Sequence, residues 1–191
     1  MKHLSLLVFV SVILVSCQSG LSEKEIEQYR KEGDKIVKST GGKLKSVLTS
    51  KIKEGGISEA VGFCNQSALP LTGEMSAQHG ADIKRTSLKI RNPENRPNEE
   101  EVLVLKQFEA MLSEGDSLEP LVSLDKEGRP HYYAPIRVEK KCLMCHGKIG
   151  KELSVTVDSI IKARYPEDLA TGYGEGELRG MWSVAFQSDQ P

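Results

Sequence analysis

Two thiols and an imidazole packed into five residues, Cys142-Leu143-Met144-Cys145-His146, constrain this chain more than any other feature of it. Two cysteines about one helical turn apart can reach the two vinyl groups on one edge of a haem macrocycle. The next residue then presents its imidazole to the iron from the same face. The spacing predicts one covalently attached haem c, bound through Cys142 and Cys145 with His146 on the iron. A zinc site would need two further ligands, typically a second Cys or His pair, and none stands out. A thioredoxin-type dithiol would need a strand running into a helix, and Glu139-Lys140-Lys141 does not read as the end of a buried parallel strand.

The amino terminus must be set aside before the fold is read. Lys2 and His3 form a short basic start, Leu4 to Val15 is almost wholly apolar, and the run ends Leu14-Val15-Ser16-Cys17. A spanning helix needs about 20 apolar residues, and this run is shorter. It reads as the core of a secretory signal, with an ending similar to a bacterial lipobox. An ordinary signal with an incidental cysteine, or an uncleaved anchor, is the alternative. Residues 1–16 are expected to be removed and Cys17 to carry lipid, with residues 17–29 as tether and helix start. The expected location is the periplasmic side of a bacterial membrane, and Gln18 after Cys17 points to the outer membrane over the inner. Acyl chains on one cysteine can hold a soluble domain at a membrane surface. Covalent haem attachment also takes place outside the cytoplasmic membrane, so the two signals agree.

The 191 residues carry 26 basic and 27 acidic side chains. With no basic excess, nucleic acid is not an expected partner. Four cysteines are present: Cys17, Cys64, Cys142 and Cys145. Exported proteins usually pair their thiols. With Cys17 assigned to lipid and two cysteines to the haem motif, Cys64 is an odd thiol.

Residues 22–54 are charged and helix-prone, with Ile36, Thr40, Leu44, Val47 and Leu48 at helical spacing and Gly41-Gly42 marking a weak point or bend. Gly55-Gly56 is expected to end that helix. Ile57 to Leu69 reads as a second one, with Ile57, Val61, Cys64 and Ala68 on one inward face. A short strand is expected over Ile83–Ile90, followed by a Pro- and Asn-rich loop. Asn98 with Glu101 signals a helix start, and Val102, Leu105, Phe108 and Leu112 form that helix's buried stripe. Leu121–Leu124 and His131–Val138 read as a hairpin around Asp125-Lys126-Glu127-Gly128. Residues 151–164 read as helix or loop, Pro166–Ala170 as one helical turn, Gly172–Gly176 as a bend, and Leu178–Phe186 as a final strand. The class is α+β: N-terminal helices, then an antiparallel sheet interrupted by the haem segment.

Several segments together resemble the PAS-like c-type haem proteins, first described in cyanobacteria. They are Phe63-Cys64-Asn65-Gln66-Ser67-Ala68-Leu69-Pro70, Arg85-Thr86-Ser87 leading into Arg91-Asn92-Pro93, and Tyr133-Ala134-Pro135-Ile136. The haem motif follows, then Tyr165-Pro166-Glu167-Asp168-Leu169-Ala170-Thr171-Gly172-Tyr173 and Gly176-Glu177-Leu178-Arg179-Gly180-Met181-Trp182. In this chain Leu69 separates Ala68 from Pro70, a small departure from the family pattern. The resemblance implies a PAS-like antiparallel sheet, a haem domain over residues 30–187, and a second axial ligand supplied by Cys64. Met75, Met111, Met181, His79 and His131 are the other candidate ligands. A thiolate would favour ferric iron and a low potential, whereas methionine would raise it. Arg85, Arg91 and Arg179 are candidate partners for the haem propionates, each of which could equally be a surface charge or a loop brace. PAS-like folds sense, and the family's haem domain also occurs fused to signalling kinases. The expected role is therefore low-potential redox or small-ligand sensing, with a diatomic gas as ligand and a separate redox or signalling protein as partner. A membrane-tethered electron carrier is the alternative, and no enzymatic activity is expected.

Overall fold

The computed structural model describes residues 20–187, so the signal segment and Cys17 lie outside the described residues. The first helix, α1 (Glu23–Gln66), opens with a capping box in which Ser22 Oγ accepts from the Glu25 amide and the Glu25 side chain accepts from the Ser22 amide. Gly33, Ile36, Thr40 and Leu44 form its buried stripe. Gly41-Gly42 does not bend it. Gly41 instead lets the Trp182 ring approach, since a Cβ there would sit 3.3 Å from Trp182 Cζ2. Gly33 is more demanding, because its Cβ would overlap the Tyr132 ring. At Gly55 and Gly56 the backbone leaves helical geometry, with φ at +72° for Gly56, and then resumes. The expected stop is thus a kink. It turns the last segment so that Ala60, Val61 and Phe63 are buried.

The expected Ile57–Leu69 helix is instead the end of α1 and breaks at Ser67, after which a separate helix, α2 (Ala68–His79), runs ten residues past Leu69. Pro70 lies in its first turn, where no amide partner is lost. Ala68, Thr72 and Met75 bury one face, and Gly80 closes the helix in the left-handed region at φ 63°. Strand β1 (Ala81–Thr86) starts and ends earlier than the expected 83–90 segment. Its ladder stops because Ser87 Oγ takes the Lys89 amide into a local turn at 3.1 Å. Helix α3 (Glu99–Glu114) has the expected Asn98–Glu101 capping box and buries Leu105 and Phe108. Strands β2 (Leu121–Leu124) and β3 (Pro130–Arg137) form the expected hairpin. The Asp125 carboxylate closes it by accepting the Glu127 and Arg129 amides. Strand β4 (Leu178–Phe186) matches its expected bounds.

The four strands form one antiparallel sheet in the order β1-β4-β3-β2. Alternation along β4 assigns its two faces. Trp182, Val184 and Phe186 join Tyr132, Ala134 and the stripe of α1 and α2. Met181 joins Tyr133, Leu105 and Phe108 beneath α3. The expected α+β architecture with an antiparallel sheet and N-terminal helices is present. Between β3 and β4 lie a 3-10 turn (Lys140–Cys142), the short helix α4 (Leu143–His146) and α5 (Val155–Arg164). Residues 166–170 make one turn closed by the Asp168 amide on the Tyr165 carbonyl, at 3.1 Å, and not the helical turn expected. Pro166 starts that turn, and the Asp168 carboxylate then takes the Ala170 amide at 2.9 Å, which a continuing helix would need for its own ladder. No helix among the described residues is long and apolar enough to cross a membrane.

Two glycines in α1 predict opposite effects. Gly33→Ala drives a methyl into Tyr132 and should destabilise the fold by about 1–3 kcal/mol. Gly42→Ala meets nothing within 4 Å and should stabilise it by about 0.5–1 kcal/mol. Urea denaturation midpoints of the two variants check the pair. Equal shifts would contradict the packing described.

Candidate functional site

The 3-10 turn and α4 present Cys142, Cys145 and His146 within one short coil. All the cysteines among the described residues are free and half-buried. Cys142 packs beside Val138, Leu143, Ala170 and Tyr173. Cys145 packs beside Val61, Leu153, Ile161 and Tyr165. The coil ends at Gly147, where a side chain has no room: a Cβ would lie 2.6 Å from the Leu143 carbonyl and 2.7 Å from Glu152 Cβ. The 170–173 loop then folds back over α4. The Gly172 amide donates to the Gly147 carbonyl at 2.9 Å, and the Tyr173 amide donates to the His146 carbonyl at 3.0 Å.

His146 Nδ1 lies 2.7 Å from the Ala170 carbonyl oxygen. Only an N–H can donate to a carbonyl, so Nδ1 carries the proton and Nε2 keeps its lone pair. Burial, with Arg179 and Arg91 nearby, pushes the imidazolium well below its usual range, so the ring is neutral near pH 7. The Tyr173 ring stands edge-on to the imidazole, 6.3 Å between centroids.

Cys64 comes from the post-kink segment of α1, packed at the margin of the main core. Burial raises its thiol pKa, against the opposing fields of Arg85 and Arg91. Burial also raises Cys145, and a charge on Cys64 would raise it further. The post-kink segment that carries Cys64 also carries Val61, which lies in the cluster against which Cys145 packs. The other candidate ligands are dispersed. Met111 and Met181 pack in the cluster beneath α3. His131 is buried with Nε2 at 3.0 Å from Ser183 Oγ and its ring stacked on Tyr133. His79 Nε2 lies 3.3 Å from Ser39 Oγ. Met75 alone shares the core cluster against which Cys64 packs.

The three arginines divide into two kinds. Arg91 is a brace: Nε and Nη2 hold the two oxygens of the buried Asp168 carboxylate at 3.1 Å each. Nη2 also reaches the carbonyls of Cys145 at 2.7 Å and Ala170 at 3.2 Å. Sequence reasoning missed Asp168, since nothing local links residue 168 to residue 91. Arg85 and Arg179 are half-buried and make no ion pair among the described residues. Arg85 lies over the Trp182 ring at 5.7 Å, and Arg179 lies over Tyr173 at 5.5 Å with one bond to the Lys89 carbonyl at 3.2 Å. Arg179 owes its direction to a β-bulge. Gly180 pairs with Ile136 and Leu178 with Arg137, which leaves Arg179 as the extra residue.

This donor set fits a haem. Two free thiols on a short coil can take two vinyl groups, an imidazole with its Nδ1 engaged offers Nε2, and two guanidiniums lacking carboxylates suit two propionates. No group of three or more His, Cys, Asp or Glu among the described residues converges to hold a metal ion by itself. Because burial holds the Cys64 and Cys145 thiols protonated, haem-free protein alkylated at pH 8 should modify both more slowly than the same chain in urea. Peptide mass spectrometry over a time course reads this, and equal rates in the two conditions would contradict the burial.

Comparison with known proteins locates the chain. Among curated proteins none matches. Among solved structures, the crystal structure of the cyanobacterial heme-protein Tll0287 is similar, with 29% sequence identity and a TM-score of 0.59, over 90% of this chain and 99% of that one. A family model, Tll0287-like, matches residues 21–186. The match takes in both sheet faces, the kinked helix and the whole coil around His146, and this chain belongs to the Tll0287-like family.

Proposed function

We infer that this chain is an exported mono-haem c-type cytochrome-like lipoprotein that works in low-potential redox or small-ligand sensing. The reading rests on one observation above the rest: free thiols at Cys142 and Cys145 share one short coil with an imidazole whose Nδ1 is occupied by the Ala170 carbonyl, which leaves Nε2 for iron. Membership of a family that includes a heme-protein supports it. The haem, when bound, supplies a one-electron couple and, where an axial position opens, a site for a diatomic gas.

In this reading Cys142 and Cys145 would hold the haem through thioether links, His146 and Cys64 would be its iron ligands, and Arg85 and Arg179 would pair with its propionates. Burial penalises a thiolate at Cys64 unless positive charge lies close by. Cys64 would thus bind as thiolate beside the more highly charged ferric centre. When that charge falls it would take up a proton from solvent and return toward thiol, a weaker ligand. Such a ligand makes a two-state switch. Cys17 would carry the lipid that holds the domain on the periplasmic side of the membrane, the outer one by the Gln18 criterion, and a separate redox or signalling protein would receive the signal. No catalytic role is proposed.

The test is spectroscopic. Ferric wild-type protein should show a thiolate-ligand signature that Cys64→Ser abolishes. Reduced wild-type protein should bind carbon monoxide with loss of that ligand. A ferric spectrum unchanged by Cys64→Ser would remove the thiolate assignment. A reduced protein inert to carbon monoxide but fast in electron exchange would move the chain to the membrane-tethered electron carriers.

A further inference from the structure

We propose that the Arg91–Asp168 ion pair is a positioning device for His146, acting through the peptide group of Ala170. The proposal rests on the reading of His146 as an axial ligand. The pair joins side chains 77 positions apart in sequence, and it is closed from solvent: side-chain exposure is 12% for Arg91 and 1% for Asp168. Its hydrogen bonds end on two peptide groups. Asp168 Oδ1 accepts the Ala170 amide at 2.9 Å, and the Ala170 carbonyl accepts from Arg91 Nη2 at 3.2 Å and from His146 Nδ1 at 2.7 Å. Arg91 Nη2 also holds the carbonyl of Cys145, the residue immediately before His146, at 2.7 Å. One guanidinium therefore fixes both the backbone that carries the imidazole and the acceptor that sets its tautomer.

A brace of the loop alone could end on any of its carbonyls. This one shares the single oxygen that takes the imidazole proton, and that has an electronic consequence. A carbonyl already bonded to a guanidinium has less electron density to offer Nδ1–H, so the imidazole is a weaker donor to iron than one hydrogen-bonded to a free carbonyl. Asp168 offsets the guanidinium charge and holds its plane.

Three variants in the haem-loaded protein test this: Asp168→Asn, Arg91→Gln and Arg91→Lys. The readouts are the reduction potential and the solvent exchange of the His146 Nδ1 proton by NMR. Asp168→Asn should raise the potential, Arg91→Gln should lower it, and Arg91→Lys, which keeps the charge, should stay nearer the wild type. In Asp168→Asn and Arg91→Gln the Ala170 carbonyl is no longer held in line with Nδ1–H, a loss of position that outweighs any gain in its electron density, and the Nδ1 proton should exchange about 10-fold faster, the scale set by one ordinary hydrogen bond's net contribution. Unchanged Nδ1 exchange in both would overturn the proposal, even if the potential moved through space or the melting temperature fell. Asp168→Asn, which keeps the shape of the side chain, guards against a folding failure of Arg91→Gln. Wild-type protein that purifies without haem absorbance counts against the haem reading. The Nδ1 exchange is measurable in that haem-free protein as well and still decides the role of the pair.

Discussion

The pairing of β3 with β4 is the constraint on which the rest of the molecule hangs. The two strands run antiparallel from His131 opposite Ala185 to Arg137 opposite Leu178, so the segment 138–177 leaves and re-enters the sheet at the same edge of the ladder. A chain held this way at both ends is an insertion whose closure entropy is already met by the sheet. It can be short of regular structure and still be well placed. The same ladder fixes which β4 side chains face α1 and which face α3, because a one-residue slip would exchange Met181 for Trp182 in the core. It also contains the bulge that turns Arg179 out of register and over Tyr173. Fold and site are thus set by one register.

Around the insertion, charge is distributed unevenly. Arg91 has a buried carboxylate partner, while Arg85 and Arg179 have aromatic rings and no carboxylate. Burial keeps His146 neutral and works against ionisation of Cys64. The protein by itself thus offers neutral donors and positive guanidiniums around the short coil. A cofactor with a cationic centre and anionic arms is the charge complement of that arrangement. The kink at Gly55-Gly56 matters for the same reason. A straight α1 would carry Cys64 along the axis set by Ile36 and Leu44, and the kink redirects its segment toward the cluster against which Cys145 packs.

Much of this was legible in the sequence where the signal is local. The Asn98–Glu101 cap, the hairpin around Asp125 and the bounds of β4 each depend on a few adjacent residues, and each reading matched the geometry; the Cys142–His146 motif is equally local, and its three side chains lie on one short coil. Signals that need a distant partner were not legible. Nothing beyond Leu69 read as helix because Thr72, Gly73 and Ser76 dilute the apolar pattern there, and packing against α1 and β1 holds α2. Strand β1 was displaced because Ser87–Ile90 has β-branched and apolar character, yet the Ser87 side chain captures the backbone there. Gly41-Gly42 read as a weak point, whereas the close approach of Trp182, 141 positions away from Gly41, is what the absent side chain at Gly41 permits. Arg91 stood as either a propionate partner or a brace until Asp168 was placed beside it. No spacing rule joins those two residues.

The central claim is that the free thiols of Cys142 and Cys145 hold a haem by covalent bonds. The most direct measurement is the intact mass of the chain, expressed from its full 191-residue sequence in cells that attach haem c and denatured in acidified organic solvent before analysis. The account predicts a mass greater than that of the processed and lipidated polypeptide by one haem, with the haem absorbance travelling with the unfolded chain. A chain that releases its haem on denaturation, or whose mass is that of the lipidated polypeptide without haem, would contradict it.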